Sequence, residues 1–198
     1  TDWLQTAMRV VSVYLPKSER VRQSNRGAQW PSAQWLHARY EGQQAINAMA
    51  AFLRDHLRAL GYEAIAPCID ERFRVGHEGN RFTCNWSERH AAFACNLGTF
   101  SLSKGLITEK GVAGRFFSVV TSAPLPLDAR QTREREASCA RCGACIRACP
   151  VNAISFEGSK DHAKCAAFLD AVREKEDPRY GCGKCQTGVP CEAASPRR

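Results

Sequence analysis

"SCARCGACIRACP", residues 138–150, sets Cys139, Cys142, Cys145 and Cys149 in one short run that closes on Pro150. Two-residue gaps let a tight turn aim successive sulfurs at one centre, with Gly143 and Ala144 keeping that turn uncrowded. The three-residue gap before Cys149 sends the fourth sulfur off on another trajectory. A cube of iron and sulfide needs one thiolate at each iron corner, arriving from several directions, which is what such a run supplies.

The pattern Cys-x-x-Cys-x-x-Cys-x-x-x-Cys-Pro is the bacterial ferredoxin run, in which three thiolates bind one [4Fe–4S] cluster and the fourth reaches a second. Downstream lie Cys165, Cys182, Cys185 and Cys191, so eight thiols are available, enough for two cubes. The spacing assigns Cys139, Cys142, Cys145 and Cys191 to the first cluster and Cys149, Cys165, Cys182 and Cys185 to the second. An exchange of Cys191 with Cys185 or Cys165 also satisfies it. Zinc is the rival, but all-cysteine zinc sites use paired Cys-x-x-Cys units. A disulfide framework is the weaker rival, because secreted scaffolds spread their cysteines through a short chain. Here eight of eleven follow residue 138.

The chain has 198 residues, room for one medium domain and a small appendage. Cysteine usage points to an intracellular, cytoplasmic protein. No stretch is long and apolar enough to span a bilayer, and no basic-then-apolar leader stands at Thr1. A net charge of +8 suits an acidic partner: nucleic acid, or an acidic electron donor such as a ferredoxin or flavodoxin. A solvated surface with extra arginines is the simpler reading of that charge, and the local run "KSERVRQSNR" (Lys17, Arg20, Arg22, Arg26) lacks interleaved aromatics and is weak evidence for RNA binding.

Ahead of the cysteines, "RVVSVYLP" (9–16) reads as a buried strand and 17–31 as a loop. Ser32 caps a helix whose apolar residues Ile46, Met49, Leu53, Leu57 and Leu60 recur at helical spacing until Gly61. "YEAIAP" (62–67) reads as a second strand and 68–85 as irregular. "SERHAAFACNLG" (87–98) is a short helix capped by Ser87, and "LITEKGVAGRFFSVVTSAPLPL" a hairpin about "EKGVAG". The charged, apolar-poor "DARQTREREAS" (128–138) marks a domain boundary, giving an α/β domain over 1–134 and a ferredoxin-type domain over 135–198.

The cysteine run, the lone Cys in "KCAAFL" and the closing "YGCGKCQ" together resemble the epoxyqueuosine reductase family and its relatives, the reductive dehalogenases. "VVSVYLP", "SNR…WLHARYEGQ", "NWSERHAAFACNLGTF" and a strand ending in "LPLD" extend that resemblance over nearly the whole chain. It implies an α+β protein: a nitroreductase-like α/β domain followed by a small 2[4Fe–4S] ferredoxin domain. It implies that the upstream domain binds cobalamin and that the clusters reduce its cobalt. The reduced cobalt then drives reduction of an epoxide or a carbon–halogen bond. In the tRNA enzymes the substrate sits in an anticodon loop.

The sequence departs from the family in three places. Where the tRNA enzymes carry a Val-Asp-Thr-x-Pro segment whose Asp donates a proton, this chain reads Arg81-Phe82-Thr83-Cys84-Asn85, and Phe82 has no proton to give. The spacing Cys185-Gln-Thr-Gly-Val-Pro-Cys191 is longer than the family's. The stretch that precedes the family's first strand is not in this sequence.

Beyond the cysteines, His90 and Tyr40 are the catalytic candidates, each weighed against ordinary capping or packing. Trp35 and His37 read as packing, Glu88 and Arg89 as a solvated face, and Lys104 and Lys110 as loop cations. Cys68, Cys84 and Cys95 read as small core residues. Glu41 and Asp70 lack an evident partner. The expected activity is reduction of a small-molecule substrate, fed by a low-potential donor. The rival is a non-catalytic electron carrier serving a partner redox protein. Phe82 speaks against a tRNA substrate.

Overall fold

The computed structural model describes residues 2–78, 81–129, 134–157 and 160–197. A three-stranded antiparallel sheet forms its spine, in the order β1 (Arg9–Pro16), β7 (Gly114–Thr121), β2 (Ala64–Ile65). β1 runs the full predicted span, Arg9 opposite Thr121 through Pro16 opposite Gly114. It is a half-buried edge strand rather than a buried one. An edge has only one neighbour to satisfy, so its terminal Pro16 costs no ladder bond. The central position falls to β7, whose last five residues are all buried.

Against this sheet lies α2 (Ala33–Ala59), started where Ser32 Oγ accepts the Trp35 N–H at 3.1 Å. Ile46, Ala50 and Leu57 of α2 pack on Phe117 and Val119 of β7 to form the main core. The apolar stripe is narrower than its periodicity predicts: Met49 and Leu60 stay exposed.

Four segments differ from the sequence reading. Residues Glu19–Ser24 form a helix, α1, capped by Ser18, where a loop was expected. The described part of 68–85 carries a 3-10 turn at Pro67–Ile69 and the antiparallel pair β3 (Val75–Glu78) and β4 (Arg81–Cys84), where irregular chain was expected. The second strand shrinks to β2, two residues long. The hairpin about "EKGVAG" does not form. β6 (Leu106–Thr108) pairs instead with β5 (Gly98–Phe100), which leaves β7 free to join β1 and β2. Between the two strand pairs, α3 (Glu88–Ala94) ends at Cys95, followed by Asn96 at φ 59°.

The cysteine-rich end adds α4 (Ala144–Arg147), α5 (His162–Glu176) and a 3-10 turn at Lys184–Gln186. Part of the boundary segment, 130–133, lies outside the described residues. Chain from both sides of it shares one apolar cluster, in which Leu102, Ile107 and Val112 pack with Cys139, Ile154 and Val189. Backbone bonds stitch the same seam: Val112 N to Cys191 O at 2.8 Å and Phe100 N to Arg135 O at 2.7 Å. Among the described residues no helix is long and apolar enough to cross a membrane.

Candidate iron–sulfur site and adjoining cavity

Cys149, Cys165, Cys182 and Cys185 line one cavity of about 190 Å³. Cys139, Cys142, Cys145 and Cys191 line a second, tighter one of about 20 Å³ with largely apolar walls. Local backbone explains the placement. Gly143 opens α4 at φ 71°, and a Cβ there would press on Phe156. α4 then carries Cys145 and delivers Cys149 just past its end. Cys165 sits in the first turn of α5, whose Asp161 cap accepts the Lys164 N–H at 3.0 Å. Gly183, at φ 68°, turns the chain between Cys182 and Cys185.

Burial pushes the thiols up, Cys145 to about 11 and Cys182 and Cys191 to about 12. Burial raises Cys185 as well. Thiols so placed hold their protons until a cation displaces them, and soft all-sulfur sets suit iron–sulfur clusters. The Ala153 N–H already points at Cys149 Sγ, 3.2 Å away, the kind of contact that tunes a bound cluster. The donor sets therefore fit [4Fe–4S] groups. Among the described residues no three or more His, Cys, Asp or Glu side chains gather about a single ion.

The basic run near the N-terminus clamps this end of the molecule. Glu192, almost fully buried, bonds Arg22 Nε at 3.1 Å and Arg26 Nη2 at 2.8 Å. Asn25 has no exposure; its amide donates to Cys182 O at 3.0 Å and its carbonyl accepts Lys184 Nζ at 2.9 Å. Lys17 is buried too, bonded to Ala38 O at 2.6 Å above the Trp35 ring. Burial and then the charges of Arg115 and Arg39 lower Lys17 to about 7. Lys17 and Arg22 are thus spent inside the fold, and the half-exposed Arg26 is paired with the same buried carboxylate. In this run Lys17 is itself buried and Arg22 meets a buried partner, whereas Arg20 and Arg26 remain exposed.

A wider cavity, about 830 Å³, opens between α3, the β3–β4 pair and the start of α5. Phe73, Phe82 and Phe100 supply aromatic wall, and Arg89, Lys104, Arg135 and Lys160 cationic rim. His90 lines it with Nδ1 2.8 Å from Ser87 Oγ and its ring on Phe100. Ser87 serves His90 in this way and gives no side-chain cap to α3. Burial, with Arg89 and Arg135 nearby, lowers His90 below the ordinary histidine value. Two members of this wall, Lys160 and His162, have no motif to announce them. They enter because α5 starts beside Phe82, whose ring meets His162 at 6.1 Å.

Tyr40 is half-buried on α2 and is not among the residues lining the cavities described here. Trp35 is core and also wall of the four-cysteine cavity, so its packing and its site role coincide. Glu41 has partners after all, Arg179 at 2.6 Å and His37 at 3.4 Å, and Asp70 pairs with Arg72 at 2.8 Å. Glu88 is not on a solvated face. Its carboxyl oxygens are sealed from water beside Ser118 and Trp86, and burial raises its pKa. Cys84 is exposed and lines the wide cavity, whereas Cys68 and Cys95 are half-buried.

Residues 135–155 match the 4Fe-4S binding domain model. The epoxyqueuosine reductase of Vibrio cholerae is 31% identical over 121 residues, covering 55% of this chain and 31% of that protein. That of Bacillus cereus is 32% identical over 150 residues, covering 70% of this chain and 37% of that protein. A catabolic reductive dehalogenase, solved with 3-bromo-4-hydroxybenzoic acid, superposes with a TM-score of 0.63 at 23% identity, over 94% of this chain and 26% of its own. An epoxyqueuosine reductase solved with a modified tRNA-Tyr stem loop gives 0.60 at 20% identity, over 96% and 50%. These superpositions define the fold class: a mixed helix–sheet body joined to a ferredoxin-type iron–sulfur segment. The chain is an epoxyqueuosine reductase-like iron–sulfur protein that shares its fold with a reductive dehalogenase. Its match spans about a third of the length of the curated relatives.

Proposed function

We propose that the chain is an iron–sulfur oxidoreductase that takes single electrons from a low-potential donor and delivers them to an acceptor in the wide cavity. The observation that carries this reading is the adjacency of the two cavities: Lys160 is wall to both the second four-cysteine set and the aromatic cavity. Cys139, Cys142, Cys145 and Cys191 would hold one [4Fe–4S] cluster, and Cys149, Cys165, Cys182 and Cys185 the other. When bound, such clusters supply one-electron transfer at potentials set by charge, hydrogen bonding and exposure.

The chain's own residues do the rest. Trp35, packed on Gly183, and Ile154 keep water from the second set. In the wide cavity, Phe73, Phe82 and Phe100 offer faces for a flat ring, and the cations of the rim suit negatively charged arms. Cobalamin is the finer assignment for that cavity, and it would supply a metal centre reducible in single-electron steps. Proton delivery there falls to His90 and His162. Asp161 caps α5 and is held ionised by the Lys164 N–H and by Lys164 itself, against its own partial burial.

A non-catalytic carrier is the second reading, favoured by Phe82 at the place of the family's acid. A tRNA substrate is the least supported, since Lys17 and Arg22 are committed internally and Arg26 is paired with Glu192. The test is anaerobic. The chain is reconstituted with iron and sulfide, mixed with cob(II)alamin and gel-filtered. About eight irons per chain with corrinoid retained near one to one supports the cobalamin reductase. About eight irons without corrinoid supports the carrier. About four irons or fewer overturns the two-cluster assignment.

A further inference from the structure

Lys160 stands where the two cavities meet. Its backbone is fixed by the neighbouring Asp161, which caps α5 and whose N–H bonds Ala153 O at 2.8 Å. Its side chain lines the four-cysteine cavity together with Cys149, Cys165, Cys182 and Cys185. The other cations around the four-cysteine cavity are turned to other groups: Lys17 to Ala38 O, Arg39 to the Tyr180 hydroxyl, Arg115 to Gln43 and Lys184 to Asn25 O. Arg89, on the wide cavity, gives its guanidinium to Lys104 O.

We propose that Lys160 is a positioning charge that raises the reduction potential of the second cluster and leaves the first unaffected. The proposal rests on the two-cluster reading above. Reduction adds one electron and no proton to an already anionic group. A cation lining the cavity of its four thiolates stabilises the more negative state, and partial burial limits screening by water. The first set's cavity is lined by Arg141, but its guanidinium is turned to Glu136 and to the Phe156 carbonyl. The two clusters would then differ in potential, with the easier one to reduce standing next to the acceptor cavity.

The test is an anaerobic redox titration followed by electron paramagnetic resonance on wild-type protein, Lys160→Gln and Lys160→Arg, with iron counted in each. The expected result is that Lys160→Gln keeps its iron and lowers one midpoint, while the other midpoint stays at the wild-type value. The moving signal is the one absent from Cys165→Ser. Lys160→Arg, which keeps the charge, stays close to wild type. Unchanged midpoints in fully loaded Lys160→Gln overturn the proposal, as does an equal shift of both. Loss of iron from Lys160→Gln with retention in Lys160→Arg would make the ammonium a structural prop and also overturn it. Wild-type protein without about eight irons defeats the two-cluster reading itself, and the iron count shows that before any variant is titrated.

Discussion

The Trp35 ring occupies the space that a side chain on Gly183 would need. One residue is on the long helix that packs on the sheet and the other lies between two cysteines of the second set, so that helix shapes the turn that aims Cys182 and Cys185. Gly183 also sits at φ 68°, where a Cβ is strained. Gly183→Ala is expected to cost roughly 2–4 kcal/mol from overpacking and strain together. It should lose about half of the bound iron, the share of one cube of two. Iron analysis and a urea melt check both.

Glu192 ties α1 to the last cysteine loop through Arg22 and Arg26. Arg26 is half exposed and contributes little; Arg22 is mostly covered and would be left with an unpaired charge. Glu192→Ala is expected to destabilise the chain by roughly 2–3 kcal/mol. Asn25→Ala, which strands the Cys182 carbonyl, should cost roughly 1–3 kcal/mol. Equilibrium denaturation of each variant gives the numbers.

Cys142→Ser and Cys165→Ser are expected to remove different clusters. Each should retain about four irons of eight, with the resonance signals of the two variants adding up to that of wild type. Identical residual signals would show that the eight thiols are divided otherwise.

Glu88 gives a pH dependence of known sign. Burial raises its carboxyl above the usual range, so the folded chain binds a proton there more tightly than the unfolded chain. Stability from this group is fully present below the unfolded value near 4.5 and is lost as pH rises through the folded value. Glu88→Gln is therefore expected to be more stable than wild type at neutral pH. That advantage should shrink as pH falls toward 4.5. Urea unfolding of the pair at pH 5 and pH 7 measures it.

Some of this molecule is written locally. The spacing of Cys139, Cys142, Cys145 and Cys149 encodes ligand geometry within one turn of chain, and no distant contact is needed to recognise it. β1 and the start of α2 at Ser32 are equally local, set by β-branched residues and by one side-chain cap.

Tertiary structure decided what distant residues do to one another. α1 was invisible because six residues are too few to hold a helix alone, and its Arg22 finds Glu192 170 positions away. β6 turned to β5 because pairing is a choice among strands, and β7 was claimed by β1 and β2. Lys160 and His162 carry no pattern of their own. They line the wide cavity only because α5 begins against Phe82, a meeting of surfaces that residue spacing along the chain does not encode.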